Sequence, residues 1–233
     1  MSVRVVLEVA PKRAFASALD WPGWSRGAKT AGAALEALLA YGPRYAPVAR
    51  RAKVAFRVPA TIRVFDVVER LTGGGGTEFG VPSAVAGSEG DPLTPTELKR
   101  MVALLEASWK SFDAAARKAE GVQLRVGPRG GGRQVPKIIE HVAEAEVAYL
   151  GQLGSQAPDA SGRDAGPGDG PSDAAAMRLV RAAFVATVIA RATGNPLADP
   201  NRVRRPWSPR YAVRRSAWHA LDHAWEIEDR SGV

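Results

Sequence analysis

The sequence predicts an α+β protein in two parts, a small N-terminal α+β unit followed by a four-helix bundle. Two observations carry this reading. Apolar and β-branched residues recur with a period near two up to Leu71, and with a period of 3.6 from Thr94 onward. Between them lies a stretch, residues 73–92, built largely from Gly, Ser and Pro. The expected division is therefore residues 1–71, a linker or surface loop over 72–92, and residues 93–233. A chain of 233 residues has room for two small domains, and 45% hydrophobic content with 24% charge excludes wholesale disorder.

Val3, Val5 and Leu7 alternate with Arg4 and Glu8, which predicts a half-buried strand. Residues 13–19 give a second strand. Asp20-Trp21-Pro22-Gly23-Trp24 reads as a turn in which Pro presets φ and Gly supplies a positive φ. Thr30 is placed to cap a helix carrying Ala34, Leu35, Leu38 and Leu39, ending before Gly42-Pro43. Residues 54–58 and 62–68 are rich in β-branched side chains and predict two more strands.

In the second part, Thr94-Pro95-Thr96-Glu97 combines an N-cap, a proline at the first helical position and a glutamate at the third. Met101, Leu104, Leu105, Trp109 and Phe112 follow at helical spacing. Further helices are expected over residues 135–153 and 173–193, and from a Ser208 cap to Arg230. Residues 155–172 are poor in apolar side chains and predict a mobile connection. Four helices of this length pack most simply as an antiparallel bundle.

There are no cysteines and three histidines. Disulfides, thiolate ligands and a cysteine nucleophile are excluded together. The formal charge is +8, from 32 Lys and Arg against 24 Asp and Glu. It predicts attraction to anions at low salt. It is weak support for a nucleic-acid partner, because an Arg-, Ala- and Gly-rich composition accompanies GC-rich coding. No apolar run approaches the roughly 20 residues of a membrane span, and the N-terminus lacks the pattern of a signal peptide. A cytoplasmic protein is expected.

The histidines carry the chemistry. His219 and His223 stand four residues apart in a helix, about 40° around it, so that two imidazoles can converge on one metal. The opposing reading is a solvated face, since Arg215, Asp222, Glu226 and Arg230 share that stripe. His141, at the margin of the second helix's apolar face, tips the balance. In an up-down-up-down bundle its height matches that of the pair within about two turns. Three neutral imidazoles leave positions open for water or substrate, the arrangement of a catalytic site. Zn²⁺, Ni²⁺, Fe²⁺ and Mn²⁺ all suit this ligand type. Glu226, Asp222 and Glu144 are placed to orient an imidazole or act as acid or base; alternatively they pair with surface cations. Position 220 is Ala, so the metalloprotease motif H-E-x-x-H is excluded.

The run Ile138-Ile139-Glu140-His141-Val142-Ala143-Glu144-Ala145-Glu146, followed by His219-Ala220-Leu221-Asp222-His223, resembles the DinB/YfiT-like family of metalloenzymes. Members are four-helix bundles with one metal-binding histidine on the second helix and an H-x-x-x-H pair on the last. The resemblance covers about residues 93–231 and implies His141, His219 and His223 as ligands. The block around Trp218 to Arg230 is similar to an actinobacterial subgroup. Several relatives are transferases or isomerases that use mycothiol, bacillithiol or glutathione. The first 50 or so residues resemble HicB-like antitoxin domains through the D-x-P-G turn, here Asp20-Trp21-Pro22-Gly23. Trp24 stands where a Cys is often found.

Two basic loops complete the picture. Residues 127–133 lack the Lys-Ser/Thr pair of a nucleotide loop, and read either as a flexible turn or as an anion site using Arg129 or Arg133. Arg205, Arg210 and Arg215 lie in an arginine cluster interleaved with Trp207 and Tyr211. Both loops are expected at one mouth of the bundle, holding carboxylates of a small-molecule substrate or a low-molecular-weight thiol. The leading expectation is thus a divalent-metal-dependent enzyme, a thiol-dependent S-transferase or isomerase. The alternative is a non-enzymatic protein that binds nucleic acid or another protein through its basic surface and HicB-like part. The six tryptophans suit a core or subunit contact, and a homodimer is compatible with them.

Overall fold

A computed structural model describes residues 2–127, 132–158, 174–195 and 203–232. Contacts divide the chain into two units, Met1–Lys110 with Val213–Trp218, and Ser111–Ala212 with His219–Val233. The class is mixed α and β, as expected, with a four-stranded sheet near the N-terminus and seven α-helices among the described residues. No described helix is long and apolar enough to cross a membrane.

In the first unit, β1 (Val3–Val9), β2 (Ala14–Ala18) and β3 (Ser25–Ala28) form an antiparallel meander, with Val5 opposite Ala18 and Ala16 opposite Arg26. The turn into β3 contains Gly23 at φ 91°, the positive value its Pro-Gly sequence demands. Helix α1 (Ala31–Ala40) is capped by Thr30, whose hydroxyl accepts from the Ala33 amide. Helix α2 (Gly42–Arg51) follows at once. α1 ends before Gly42-Pro43 as expected, and the same pair opens a second, unexpected helix, because a proline in the first turn lacks only an N–H that the helix would leave unpaired. Strand β4 (Phe65–Thr72) then lies parallel to β1 on its free side, giving the order β3-β2-β1-β4.

Three other expectations change here. Residues 54–58 are not a strand: they form no ladder with any strand of the sheet, and strand propensity acts only through such pairing. Residues 62–64 form a 3₁₀ turn that precedes β4. Strand β1 is buried on both faces, with Val5, Val6, Leu7 and Glu8 all at most 3% exposed. Glu8 therefore does not face water. Its carboxylate accepts from the Thr77 hydroxyl and from the Ser83 amide at 3.1 Å. Those partners lie in the stretch expected as a loop, which contains helix α3 (Gly75–Phe79) and a 3₁₀ turn (Gly87–Gly90). That turn is held by Glu89, which meets Arg214 in a buried ion pair at 2.5 and 2.9 Å while also accepting from the Ala86 amide.

Helix α4 (Pro95–Lys118) opens with the expected capping box. Thr94 Oγ1 accepts from the Glu97 amide at 3.2 Å, and Glu97 Oε2 accepts from the Thr94 amide at 2.9 Å. Thr94→Ala is expected to cost about 1 kcal/mol of stability, read as a lower urea midpoint at unchanged m-value.

The second unit contains α5 (Val135–Gln152), α6 (Ala174–Ala192) and both ends of α7 (Pro209–Ser231). Ser208 caps α7 as expected, accepting from the Tyr211 amide. α5 and α6 are tied by Arg181, which donates to Glu146 at 2.9 Å and to Asp113 of α4 at 2.8 Å. Burial pushes the Glu146 carboxyl above its ordinary range, and the Arg181 charge opposes that shift.

Candidate metal centre

The three histidines of the sequence meet. His141 comes from the second turn of α5, and His219 and His223 from successive turns of α7. His141 Nε2 and His219 Nε2 approach to 3.3 Å, and one nitrogen of each of the three rings lies within 4.8 Å of the others. Donors 2.0–2.1 Å from a tetrahedral ion stand about 3.3 Å apart, so the His141–His219 separation already has the spacing of two ligands on one metal. The rings stand edge to face, with centroids 4.7 to 5.1 Å apart. Tyr149 packs its ring against His219, with centroids 5.7 Å apart.

Glu226 lies against one of the three imidazoles. His223 Nδ1 donates to Glu226 Oε2 at 2.8 Å, which leaves the Nε2 of His223 for the centre. Glu226 Oε1 in turn accepts from Arg230 Nη1 at 2.6 Å. Burial would raise the Glu226 carboxyl, but the hydrogen bonds and charges of His223 and Arg230 outweigh it and hold the group below its ordinary range. Arg230 is itself only 6% exposed, fixed by the carbonyls of Arg125 at 2.9 Å and Arg133 at 2.8 Å. The opposing reading of a solvated face on α7 fails at two of its four members: Arg215 and Arg230 are buried, and every residue over 211–221 is at most 8% exposed, while Asp222 and Glu226 are half-buried.

Burial also pushes His141 below its ordinary range, and the neighbouring charges of His223 and Arg133 add to the shift. The neutral ring favoured there is the form that binds a metal.

The remaining candidates differ in exposure. Glu144 is exposed on α5, and Asp222 is half-buried on α7. Arg133 is exposed beside the centre, where its charge is felt by His141. Arg205 is exposed and Arg210 half-buried at the start of α7. Arg215, expected at an anion-binding mouth, instead lays its guanidinium over the Trp218 ring at 4.6 Å. That cation–π contact removes it from water, which a helical wheel does not show. Arg129 lies outside the described residues. Glu226→Gln, which keeps the shape but removes the charge that orients His223, is expected to weaken Zn²⁺ binding by about 10- to 100-fold in a chelator-competition titration.

No curated protein matches the chain, and no solved structure matches it. The family model described as the DinB superfamily matches residues 104–227, more than half of the 233 residues and the whole span from before His141 to beyond Glu226. Membership of that superfamily is typically accompanied by metal binding, in keeping with the three imidazoles that converge here. The chain belongs to the DinB superfamily.

Proposed function

We propose that this protein is a cytoplasmic, divalent-metal-dependent enzyme of the DinB/YfiT-like type that acts on a small molecule as a thiol-dependent S-transferase or isomerase. The observation that carries the proposal is the convergence of His141, His219 and His223, with two ring nitrogens 3.3 Å apart. Their donor set fits Zn²⁺, Ni²⁺, Fe²⁺ or Mn²⁺. Such an ion, when bound, supplies Lewis acidity and makes a thiol or water more acidic. Glu226 fixes the His223 tautomer, Arg230 fixes Glu226, and Tyr149 shields one side of His219. The chain has no cysteine, so a reacting thiol arrives with a low-molecular-weight cofactor such as mycothiol.

In this reading α4 to α7 form the family's four-helix bundle over residues 93–233, and residues 1–71 form a HicB-like unit joined through 72–92. The D-x-P-G turn and the β-β-β-α order support the second part. Arg133, Arg205 and Arg210 would supply guanidinium groups for the carboxylates of substrate or thiol.

Metal analysis by mass spectrometry on untagged protein tests the proposal. About one equivalent of metal per chain is expected, together with thiol turnover or exchange on electrophilic small molecules that is lost on chelation. Protein that holds no metal, and whose melting temperature does not respond to Zn²⁺, Ni²⁺ or Mn²⁺, contradicts it.

A further inference from the structure

The second unit also contains a concave site away from the three histidines. Between the C-terminal part of α4 and the first turns of α5 and α6 lies a cleft of about 620 Å³, within the size range of small-molecule pockets. Its walls include Phe112, Val142 and Met177, each at most 8% exposed, so the floor is apolar and withdrawn from water. None of the three histidines lines it. At 100° per residue, the α5 positions that do, Ile139 and Val142 among them, centre about 160° around the helix from His141. The cleft and the metal centre thus use opposite faces of α5.

The charges of the cleft are unevenly committed. Arg181 lines it, but Glu146 and Asp113 already satisfy that guanidinium at 2.9 and 2.8 Å. Arg117 and Arg178 also line it, are exposed, and form no ion pair among the described residues. Glu120 is the one other carboxylate on the wall, so the mouth keeps an excess of positive charge.

We infer that this cleft binds an apolar small molecule bearing one carboxylate, an aryl or medium-chain carboxylic acid. Its body lies against Phe112, Val142 and Met177, and its carboxylate lies between Arg117 and Arg178. A planar guanidinium fork suits a carboxylate, while the apolar walls favour a body without further charge.

Calorimetric titration of the full chain with 2-naphthoate and with its neutral amide, 2-naphthamide, tests this. Saturable naphthoate binding is expected, and Arg117→Gln with Arg178→Gln weakens it about tenfold while leaving the amide unchanged. Ala174→Trp places a large ring from an exposed wall position into the cleft and abolishes binding of both probes. His219→Ala leaves both affinities unchanged, which separates this site from the metal centre whatever the metal analysis returns. Absence of saturable naphthoate binding overturns the inference, as does binding that survives Ala174→Trp or is lost in His219→Ala.

Discussion

His219→Ala is expected to abolish metal binding. In a protein purified without a histidine tag, the variant is expected to fall from about one bound divalent ion per chain to none. The reason is the position of the ring: His219 is 6% exposed, its Nε2 lies 3.3 Å from that of His141, and its ring contacts both other imidazoles. Two remaining imidazoles give a weaker and less selective site. The loss also has a thermal signature. An ion at 100 times its dissociation constant stabilises a folded chain by about 2.7 kcal/mol, and for a chain of this length each kcal/mol moves the melting temperature by roughly 2–4 °C. Zn²⁺ should therefore raise the wild-type melting temperature by about 5–11 °C and leave the variant's unmoved. His223→Ala should behave alike, whereas Glu144→Ala, on an exposed position, should change nothing. Retention of a full equivalent of metal by His219→Ala would place the ion elsewhere.

The second large effect is on stability. Glu89 and Arg214 are buried, with side chains at most 4% exposed, and they share two hydrogen bonds. Arg214 also donates to the Ala84 carbonyl at 3.0 Å. Removing one member leaves an uncompensated charge in the interior. Arg214→Met is expected to cost about 3–5 kcal/mol, and so is Glu89→Met. The double substitution should recover most of that loss, because both charges and their desolvation leave together. Urea unfolding of the four proteins measures the cycle. A double variant as unstable as the sum of the singles would show that the two residues act independently.

Much of the architecture was legible from local patterns. The caps at Thr30, Thr94 and Ser208 and the 3.6-residue spacing after Thr94 located helices, because a cap and an amphipathic stripe depend on residues a few positions apart. The pair Gly42-Pro43 marked the end of α1 correctly but also begins α2, which the breaker reading alone does not reveal. Residues 54–58 did mislead: their propensity suits a strand, but they form no ladder with the sheet, and propensity counts only where such pairing is made.

The sequence by itself determined that three histidines sit on two helices at positions from which they can converge, and that Glu226 rides one turn from His223. Helical spacing fixes the placements of His219, His223 and Glu226, and the up-down-up-down bundle reading brings His141 to their height. Only the tertiary structure decided that His223 commits its Nδ1 to Glu226 and that Arg230 is drawn inward by the carbonyls of Arg125 and Arg133. Only it buried Glu8 under Thr77 and Ser83, and paired Arg181 with Glu146 and Asp113. These partners are 35 to more than 100 residues apart, apart from the His223–Glu226 pair. Periodicity reports which face of an element is apolar; which polar group waits opposite that face is settled only when distant segments pack and each buried charge must find a partner.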